Sequence, residues 1–414
     1  MAKKLIIAAP SARSYAQAAR ACGYDVIALD AFIDADTQVV CAQTFKLKLN
    51  DNVLDEADFK RVFGEIALSI DLDEVDGFLY GSLFDNCPDV LAWVAARVRL
   101  LGNTPDVLKQ AKDFSFFKLL DDLEIPHPEV RVIEQNSQPS FPQKRESILT
   151  LKTSSKKMDS LLRTTRVLRF AKCSSTCKVV CGNDEVENEW LSKRIGGTGG
   201  THIRLAANHH SSASAGDYFQ RNYFQKKQDG KPISMLFVAD GITARLIGFN
   251  EQFIAPTIDM PYRFAGAVGG VVLPENVQRQ FDHTAQKLTT ALGLCGINSL
   301  DAIFDGETLL ILELNPRLSA TFDLYQNLLP AHIQACAGKL VDIEPQPSAS
   351  NAQLIVYADV LMQIASDKKW PTWVADISPP NSIIAAGMPI CTVLATAQNA
   401  AAATQMVLER ARSL

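Results

Sequence analysis

The chain has 414 residues, of which 47% are hydrophobic and 21% are charged, and its formal net charge is −5. This length predicts two or three domains with a sizeable core, and the acidic balance argues against a general nucleic-acid binder. No apolar run is long enough to span a membrane, and the short run LIIAAP predicts a first strand rather than a signal peptide. Because the nine cysteines follow no framework pattern, we expect reduced thiols in a cytoplasmic enzyme.

The first hundred residues alternate between short apolar runs and helical segments. Residues 4–9 and 24–30 predict strands, and a helical stretch at 14–22 lies between them and ends at Gly23. Strands that alternate with helices are typical of a parallel sheet, so we predict an open α/β domain over residues 1–105, ended by the turn-forming NTP. Its further predicted elements are a helix at about 55–70, a strand at 76–82 and a helix at about 88–97.

The second predicted domain, residues 106–222, combines a linker helix with a basic insertion. Residues 106–123 carry an apolar stripe and predict the helix. The insertion covers about 143–188, and ten lysines and arginines up to position 178 face only Glu146 and Asp159. A solvated segment and a site for a polyanionic partner are both open for it. Three cysteines at four-residue spacing match no common zinc site and are predicted to be free thiols: Cys173, Cys177 and Cys181.

Residues 223–330 are predicted to form an antiparallel α+β domain. Runs rich in β-formers occupy 223–241 and 244–253, and a helix is predicted at 275–292. The segment 297–317 contains two apolar strands joined by the turn DGE, which predicts a hairpin. The rest of the chain is predicted to be an extension that packs on this core: residues 331–414, with a helix near 330–337, a strand near 353–360 and a C-terminal helix.

A glycine cluster follows a lysine in the stretch WLSKRIGGTGGTHIRLA. Lys193 precedes four glycines and a threonine: Gly196, Gly197, Thr198, Gly199 and Gly200. Glycine loses much backbone entropy on ordering, so such a cluster requires a reason. One reason is the close approach of backbone N–H groups to a phosphate, and the other is a flexible hairpin turn. The cluster alone does not decide between them.

Two carboxylates interrupt the apolar strands of the predicted hairpin. Asp301 lies on the first strand, and Glu313 and Asn315 share one face of the second. A carboxylate in an apolar strand needs a partner, and these oxygen ligands suit Mg²⁺ or Mn²⁺. Arg317 extends the same face with donors for phosphate or carboxylate oxygens. The alternative is a strand end with a surface carboxylate, which the combination of Asp301 and the glycine cluster disfavours.

The order of these motifs resembles the ATP-grasp superfamily. The resemblance covers roughly residues 1–330, and its most specific parts are WLSKRIGGTGG at 190–200 and ELNPR at 313–317. It implies a fold of mixed α/β and α+β class with an N-terminal open parallel α/β domain, a small lid subdomain and a large antiparallel α+β domain. ATP is implied to lie between the lid and the large domain.

The resemblance also implies a role for each matching residue. Lys193 is implied to contact ATP, residues 196–200 to cover its β- and γ-phosphates, and Lys112, in a looser match, to be an earlier ATP contact. Arg317 is implied to steady the transferred phosphoryl group, which makes Arg317 and Lys193 the expected catalytic residues. The implied adenine hinge binds through the backbone of Gln225, Lys226 and Lys227, with Lys226 where glutamate is common. The implied ligands of Mg²⁺ (or Mn²⁺) are Asp301, Glu313 and Asn315.

The implied reaction is the ATP-dependent joining of a carboxylate and an amine through an acyl phosphate. Residues 11–38 and 387–398 resemble ATP-grasp proteins of tetrahydromethanopterin and methanofuran C1 metabolism, including the tyramine–glutamate ligase, which implies L-glutamate addition to a C1-carrier precursor. The expected partners are small-molecule substrates, and a homodimer is compatible with this expectation. His202 and Arg263 are the candidate substrate contacts, although Arg263 also suits a structural role.

Two other functions stay open on the same frame. The first is a biotin-dependent carboxylase component or a phosphoribosyl-type synthetase. The carboxylase is disfavoured by the short tail and by the lack of a biotin-accepting Met-Lys pair. An ATP-binding sensor or scaffold without turnover is disfavoured by the intact metal-ligand set, although the basic insertion favours it.

Overall fold

The computed structural model describes residues 3–50, 52–132, 189–206, 222–343 and 348–414. The insertion predicted at 143–188, with its three cysteines, lies outside the described residues. Among the described helices, none is both long enough and apolar enough to cross a membrane.

The N-terminal domain is built on a parallel sheet flanked by helices. Its strands are β1 (Lys3–Ala9), β2 (Tyr24–Asp30), β3 (Gln43–Lys46), β4 (Leu49–Asn50), β5 (Val53–Leu54), β6 (Val75–Tyr80) and β7 (Leu100–Leu101). Its helices are α1 (Arg13–Ala21), α2 (Ala35–Val40), α3 (Glu56–Ser69) and α4 (Pro88–Ala95). Five strands form the sheet in the order β3–β2–β1–β6–β7, with every pair parallel, while β4 and β5 pair with each other. The predicted open α/β domain is confirmed.

Two apolar layers cover this sheet. On one face, Phe59 and Phe63 of α3 pack with Phe78 of β6 and with Phe84. On the other face, Tyr15 of α1 packs edge-on against Phe322, with ring centroids 5.2 Å apart. Because Phe322 belongs to the second half of the chain, this second layer joins the two halves into one core.

The linker between the first two domains consists of two helices. The continuous helix predicted at 106–123 is wrong, because the chain forms α5 (Pro105–Lys112) and α6 (Ser115–Asp122) with a break at Asp113. Asp113 has extended backbone angles, and its carboxylate accepts a hydrogen bond from the Ser115 N–H at 2.9 Å. The break therefore follows from local side-chain capping, which competes with helix continuation at aspartate.

A small antiparallel sheet forms the lid. Its strands are β8 (Val130–Arg131), β9 (Trp190–Arg194), β10 (Arg204–Leu205) and β11 (Asn222–Lys226), in the order β10–β9–β11–β8. Lys193 lies on β9 opposite Tyr223 of β11. The glycine loop, defined here as residues 196–200, leaves the lid sheet directly after β9 and returns to it at β10.

The large domain is an eight-stranded antiparallel sheet. Its first strands are β12 (Lys231–Asp240), β13 (Ala244–Ile254), β14 (Phe264–Gly269), β15 (Cys295–Phe304) and β16 (Leu309–Asn315). The later strands are β17 (Ser350–Tyr357), β18 (Met362–Gln363), β19 (Val374–Ala375), β20 (Ile383–Ile384) and β21 (Pro389–Ala397). The order is β16–β15–β12–β13–β14–β17–β21–β19, while β18 and β20 pair separately. Three strands of the C-terminal segment thus continue the same sheet.

Three helices accompany the large sheet: α7 (Glu275–Leu292), α8 (Leu328–Ala335) and α9 (Ala400–Arg412). The hairpin predicted at 297–317 is formed by β15 and β16, and Asp305 closes its turn by accepting the N–H groups of Glu307 and Thr308 at 2.8 and 2.7 Å. The register sets Asp301 opposite Glu313. The predicted antiparallel sheet is confirmed, and it includes strands β17, β19 and β21, which lie beyond the predicted domain end at residue 330.

Asn103 connects the N-terminal domain to this hairpin. Its buried amide nitrogen lies 3.0 Å from the carbonyl oxygen of Pro316 and 2.7 Å from the side-chain oxygen of Asn298. Its side-chain oxygen accepts the N–H of Cys295 at 2.8 Å. The start of β15 and the end of β16 are therefore held against the same residue.

A buried ion cluster ties the N-terminal domain to the C-terminal segment. The Arg13 guanidinium donates to Asp376 at 2.8 Å and to Asp323 at 2.5 Å, and it lies 3.9 Å from Asp36. Asp36 accepts the backbone N–H groups of Asp376 and Ile377 at 2.9 and 3.0 Å. We call Arg13, Asp36, Asp323 and Asp376 the Arg13 cluster.

Candidate active site

A cavity lies between the lid, the linker helices and the edge of the large sheet. Three kinds of group share its walls: lysines, glycine-loop backbone and a strand carboxylate. Its lining residues are Ala111, Lys112, Asp113, Phe116, Phe117, Lys193, Arg194, Gly196, Gly197, His202, Ile203, Tyr223, Leu312 and Glu313. The fold therefore brings together Lys112, Lys193, part of the glycine loop, His202 and Glu313, which are separated by up to two hundred residues in sequence.

Lys193 places a buried ammonium in this cavity. The residue is 6% exposed, and burial lowers the pKa of Lys193, although the carboxylates of Glu313 and Asp301 act against this effect. Within the described residues the ammonium has no hydrogen-bond or ion-pair partner. A buried cation without a partner is costly unless an anion joins it, so this position is suited to binding one.

The glycine loop is docked on both sides rather than open. A Cβ added at Gly196 would lie 2.6 Å from the backbone oxygen of Asp85, and one added at Gly200 would collide with the backbone oxygen of Tyr262. Both glycines have a positive φ of 67°. The Phe264 N–H donates to the Gly199 carbonyl oxygen at 2.9 Å. Close backbone approach therefore explains Gly196 and Gly200, and at these two positions it favours an ordered loop over a flexible turn.

Lys112 contacts two of the residues that were predicted to bind metal. Its Nζ contacts Glu313 Oε1, lies 2.7 Å from Asn315 Oδ1 and is 3.4 Å from Asp85 Oδ2. In this structure the Lys112 ammonium is therefore the cation that contacts Glu313 and Asn315. Burial acts to raise the pKa of Glu313, but the Lys112 ammonium holds it below its usual range. The Glu313 side chain is 33% exposed and faces the cavity.

Arg317 is held by a carboxylate that the sequence did not reveal. Asp85 accepts from Arg317 Nε at 3.0 Å and from Nη2 at 2.6 Å, in a bidentate pair. Arg317 also donates to Asn315 Oδ1 at 2.8 Å. Burial acts to raise the pKa of Asp85, but Arg317 and Lys112 lower it below the ordinary value. We call Asp85, Lys112, Glu313, Asn315 and Arg317 the cavity network.

Asp85 follows a buried parallel strand, in the stretch YGSLFDN after β6. Residues at the carboxyl ends of parallel strands commonly face a ligand crevice, so the position of Asp85 after a predicted strand was the one sequence feature that could have indicated it. A single aspartate in a loop belongs to no periodic pattern, however. Its partner Arg317 is more than two hundred residues away in the sequence, and its partner Lys112 lies in the linker. Sequence alone therefore did not single it out.

Asp301 lies beside the network on β15. It accepts hydrogen bonds from Gln252 Nε2 at 2.9 Å and from Asn315 Nδ2 at 3.0 Å. Burial, and then the neighbouring Glu313 carboxylate, raise the pKa of Asp301 to about 6. Two carboxylates and an amide that meet here form an oxygen set of the kind that Mg²⁺ uses together with substrate phosphates and water. No cluster of three acidic, histidine or cysteine side chains suited to a metal occurs among the described residues.

The predicted adenine hinge lies at the end of β11. The Lys226 and Lys227 N–H groups donate within the protein, to the carbonyl oxygens of Glu129 at 2.8 Å and Glu189 at 2.6 Å. Gln225 is buried, and its Nε2 has no partner within the described residues. These two N–H groups are thus already bonded within the protein, the Gln225 amide is a donor left over, and adenine binding by the backbone of this segment stays a prediction.

The two candidate substrate contacts differ. His202 packs under Gly197 in the cavity wall, its Nδ1 has no partner within the described residues, and burial lowers its pKa to about 4, so the ring is neutral at pH 7. Arg263 does not line the cavity. Its guanidinium stacks on Tyr357, 3.8 Å from the ring centroid, and donates to the carbonyl oxygens of Ala255 and Gly387. These contacts favour the structural role for Arg263 over the predicted substrate contact.

Comparisons with known proteins agree with this architecture. A family model described as an ATP-grasp domain matches residues 162–321. The biotin carboxylase domain of the 2-oxoglutarate carboxylase from Hydrogenobacter thermophilus, solved with MgADP and bicarbonate, is similar with a TM-score of 0.68 and 12% identity, over 100% of this chain and 89% of that one. No curated protein matches the chain significantly.

Two further solved structures are similar over nearly their whole length. N5-carboxyaminoimidazole synthetase from Staphylococcus aureus, complexed with ADP, has a TM-score of 0.63 and 11% identity, over 99% of this chain and 97% of that one. Phosphoribosylamine–glycine ligase from Thermotoga maritima has a TM-score of 0.61 and 13% identity, over 98% and 95%. The chain therefore has the ATP-grasp fold, as its motifs predicted.

Proposed function

We propose that the chain is an ATP-dependent carboxylate–amine ligase that works through an acyl phosphate. The observation that carries this proposal is the buried ammonium of Lys193, which has no hydrogen-bond or ion-pair partner within the described residues, in a cavity that a docked glycine loop and the Glu313 strand also line. Such a cavity offers cationic and backbone groups for a triphosphate and carboxylates for its metal. The ATP-grasp family match and the nucleotide complexes of the similar structures support the same substrate.

Each group has a task in this reaction. Lys193 and the glycine-loop residues 196–200 would hold the ATP phosphates, and Asp301, Glu313 and Asn315 would hold Mg²⁺. When bound, that metal would neutralise phosphate charge as the substrate carboxylate attacks the γ-phosphate. Lys112 now pairs with the Glu313 carboxylate and donates a hydrogen bond to Asn315, so we expect its ammonium to shift toward the phosphates as nucleotide and metal load.

Arg317 would orient one substrate oxygen. Four of its five N–H bonds have acceptors within the described residues, on Asp85, Asn315 and the Leu318 carbonyl. One Nη1 N–H is left for the transferred phosphoryl group or the acyl phosphate. The rigid hold of Asp85 fixes the direction of this donor in advance, which is the condition for electrostatic stabilisation of a transition state. The docked glycine loop would keep water from the acyl phosphate until the amine attacks.

A narrower part of the proposal is that L-glutamate is added to a methanofuran- or methanopterin-type C1-carrier precursor. Its support is the resemblance of residues 11–38 and 387–398 to proteins of that metabolism. These two stretches meet at Asp376, which bonds with Ser11 and Arg13 of the first and with Thr392 of the second. The two stretches that carry the resemblance therefore lie together in the fold, and Arg13 connects them to Asp323 in the segment that follows Arg317.

ADP release from purified protein tests the proposal. Mg-ATP is supplied with a panel of amino acids, C1-carrier precursors and bicarbonate, and we expect ADP release that depends on both an acid and an amine. ATP binding without release under any combination would favour a sensor, and release that depends on bicarbonate alone would favour a carboxylase. Glutamate-dependent release with a C1-carrier precursor would support the narrower part separately from the broader one.

The variant Glu313→Ala is expected to abolish this ADP release. Glu307→Ala serves as its matched control, because Glu307 lies exposed in the turn of the same hairpin. Near-normal turnover in Glu313→Ala would contradict the assignment of metal to this strand.

A further inference from the structure

A pair of thiols lies outside the cavity, where three segments meet. Cys295 is the first residue of β15, and Cys336 directly follows the last residue of α8. Their side chains are neighbours beside the Leu101–Gly102 backbone, where Cys295 Sγ lies 3.1 Å from the Gly102 carbonyl oxygen and Cys336 Sγ lies 3.7 Å from His332 Nε2, and both residues are partly exposed to solvent. The proposed ligase reaction uses neither of them.

The backbone is shaped to allow this contact. Gly296, directly after Cys295, has a φ of +68°, and an added Cβ would lie 2.9 Å from Cys336 Sγ and 2.6 Å from His332 Cε1. Any larger residue would therefore push the end of α8 away from β15. His332 holds the same helix in place, since Nδ1 accepts the N–H of Ile297 at 2.9 Å and Nε2 donates to the Leu101 carbonyl oxygen at 3.1 Å.

The two sulfurs are not equivalent. The hydrogen bond from the Cys336 thiol lowers the pKa of Cys295, against the effect of burial. The same hydrogen bond, together with burial, raises the pKa of Cys336. Cys295 is therefore the sulfur that ionises first, and a thiolate is the form that reacts with oxidants.

We propose that Cys295 and Cys336 form a thiol oxidation site that closes to an intramolecular disulfide when a hydroperoxide is the oxidant. The Cys295 thiolate attacks one peroxide oxygen, the O–O bond breaks, and the leaving hydroxide takes a proton to become water. The Cys336 sulfur then attacks the sulfenic acid on Cys295, the S–O bond breaks, and a second water leaves with the thiol proton. Two thiols and one hydrogen peroxide thus give one disulfide and two waters.

The site adjoins the contact between the domains. The Cys295 thiol donates to the Gly102 carbonyl oxygen at 3.1 Å, and its backbone N–H is held by Asn103. Disulfide formation removes the thiol proton and with it the Gly102 contact. Oxidation would therefore act on the junction that also holds the end of β16.

Peptide mapping of the full-length chain tests the proposal. The reduced protein is treated with stoichiometric hydrogen peroxide, alkylated and digested with trypsin, which separates Cys295 on residues 288–317 from Cys336 on residues 318–339. We expect these two peptides to be joined after oxidation and to separate again after dithiothreitol. Both peptides alkylated, at a peroxide dose that oxidises the exposed Cys22, would overturn the proposal, and so would a bond from Cys295 to any other cysteine.

Single serine variants separate the two roles. In Cys336→Ser, the sulfenic acid should persist on Cys295 and be captured by dimedone, whereas in Cys295→Ser the Cys336 thiol should stay alkylatable. Equal dimedone capture at both positions would overturn the assigned order of attack. The wild-type map stands on its own if either variant fails to fold.

Discussion

Two buried ion networks connect the N-terminal domain to the large sheet, and they differ in charge balance and in what they face. In the cavity network, Asp85 and Glu313 are matched by Lys112 and Arg317, with Lys193 as a further cation nearby. In the Arg13 cluster, one guanidinium serves three carboxylates, and none of its four members lines the cavity.

This difference teaches which buried charges point to chemistry. A buried arginine with bidentate carboxylate partners occurs in both networks, so it does not by itself mark a catalytic centre. Two members of the cavity network, Lys112 and Glu313, instead line a concave site together with the Lys193 ammonium, which has no hydrogen-bond or ion-pair partner within the described residues. In the Arg13 cluster, by contrast, every N–H of the guanidinium has an acceptor, and the carboxylates outnumber the cation by three to one.

Removing the cation of the Arg13 cluster should give the largest effect on stability. Arg13→Met leaves three carboxylates without their partner, so we expect the free energy of unfolding to fall by about 3 kcal/mol. Chemical denaturation measures this change, and Arg20→Met on the exposed side of the same helix is the control. ADP affinity of the folded protein should be unchanged, and a large loss of affinity would mean that the two networks are not separate.

Lys193→Met should leave the fold intact and impair the reaction. The variant removes a buried cation that has no hydrogen-bond or ion-pair partner in the described part of the chain, so we expect thermal stability to hold or rise, while kcat/KM for ATP falls about 100-fold. Steady-state ADP release and calorimetric ADP binding measure the two effects. Lys231→Met, at an exposed position on β12, should behave as wild type. An unchanged kcat/KM would remove the main support for nucleotide in this cavity.

Asp85→Asn tests whether the cavity network positions its cations. Asparagine keeps the shape but loses the charge that holds Arg317 and Lys112, so we expect kcat to fall roughly tenfold with a smaller change in KM. Asp89→Asn, exposed on α4, is the matched control. If KM rises and kcat does not change, Asp85 supports binding rather than the orientation of Arg317.

The excess of carboxylates near the Arg13 cluster should make the free energy of unfolding depend on pH. Burial, and then neighbouring carboxylates led by Asp376, raise the pKa of Asp34 to about 8. Because the unfolded value is about 3.9, the folded chain binds the extra proton between about pH 4 and pH 8. This contribution to stability is complete below about pH 4 and is lost as the pH rises through about 8.

Asp34→Asn should remove this slope. The neutral amide mimics the protonated acid, so unfolding free energy should decline less steeply with pH, by up to about 1.4 kcal/mol per pH unit at the steepest point. Denaturation curves from about pH 5 to about pH 8 measure the slope, and Asp73→Asn on the surface is the control. Identical slopes in wild type and Asp34→Asn would show that Asp34 ionises in the folded chain.

The sequence carried the elements with strong local patterns. Alternating apolar runs predicted the parallel domain, and the DGE turn between two apolar strands predicted the hairpin that sets Asp301 opposite Glu313. The pairing of those carboxylates follows from strand period and turn length, which are local. The break at Asp113 was missed, because a helical stripe continues through it while one capping side chain interrupts the backbone.

The parts of the site that depend on distant contacts were beyond the sequence. Asp85 was missed because its meaning comes from Arg317 and Lys112, which no spacing connects to it. The assignment of Arg263 depended on whether its guanidinium meets a ligand or a carbonyl, and the loop at Gly387 decides this. The glycine loop could be recognised, but its docking against Tyr262 could not, because that contact joins two segments with no shared pattern.

The place of Gly196 against the backbone of Asp85 has a mechanical consequence. The backbone of this one aspartate meets the glycine loop, while its carboxylate holds Arg317. The position of the loop and the position of Arg317 therefore both depend on Asp85. In the proposed reaction, covering the phosphates and orienting the arginine would thus depend on one residue, which the N-terminal domain supplies.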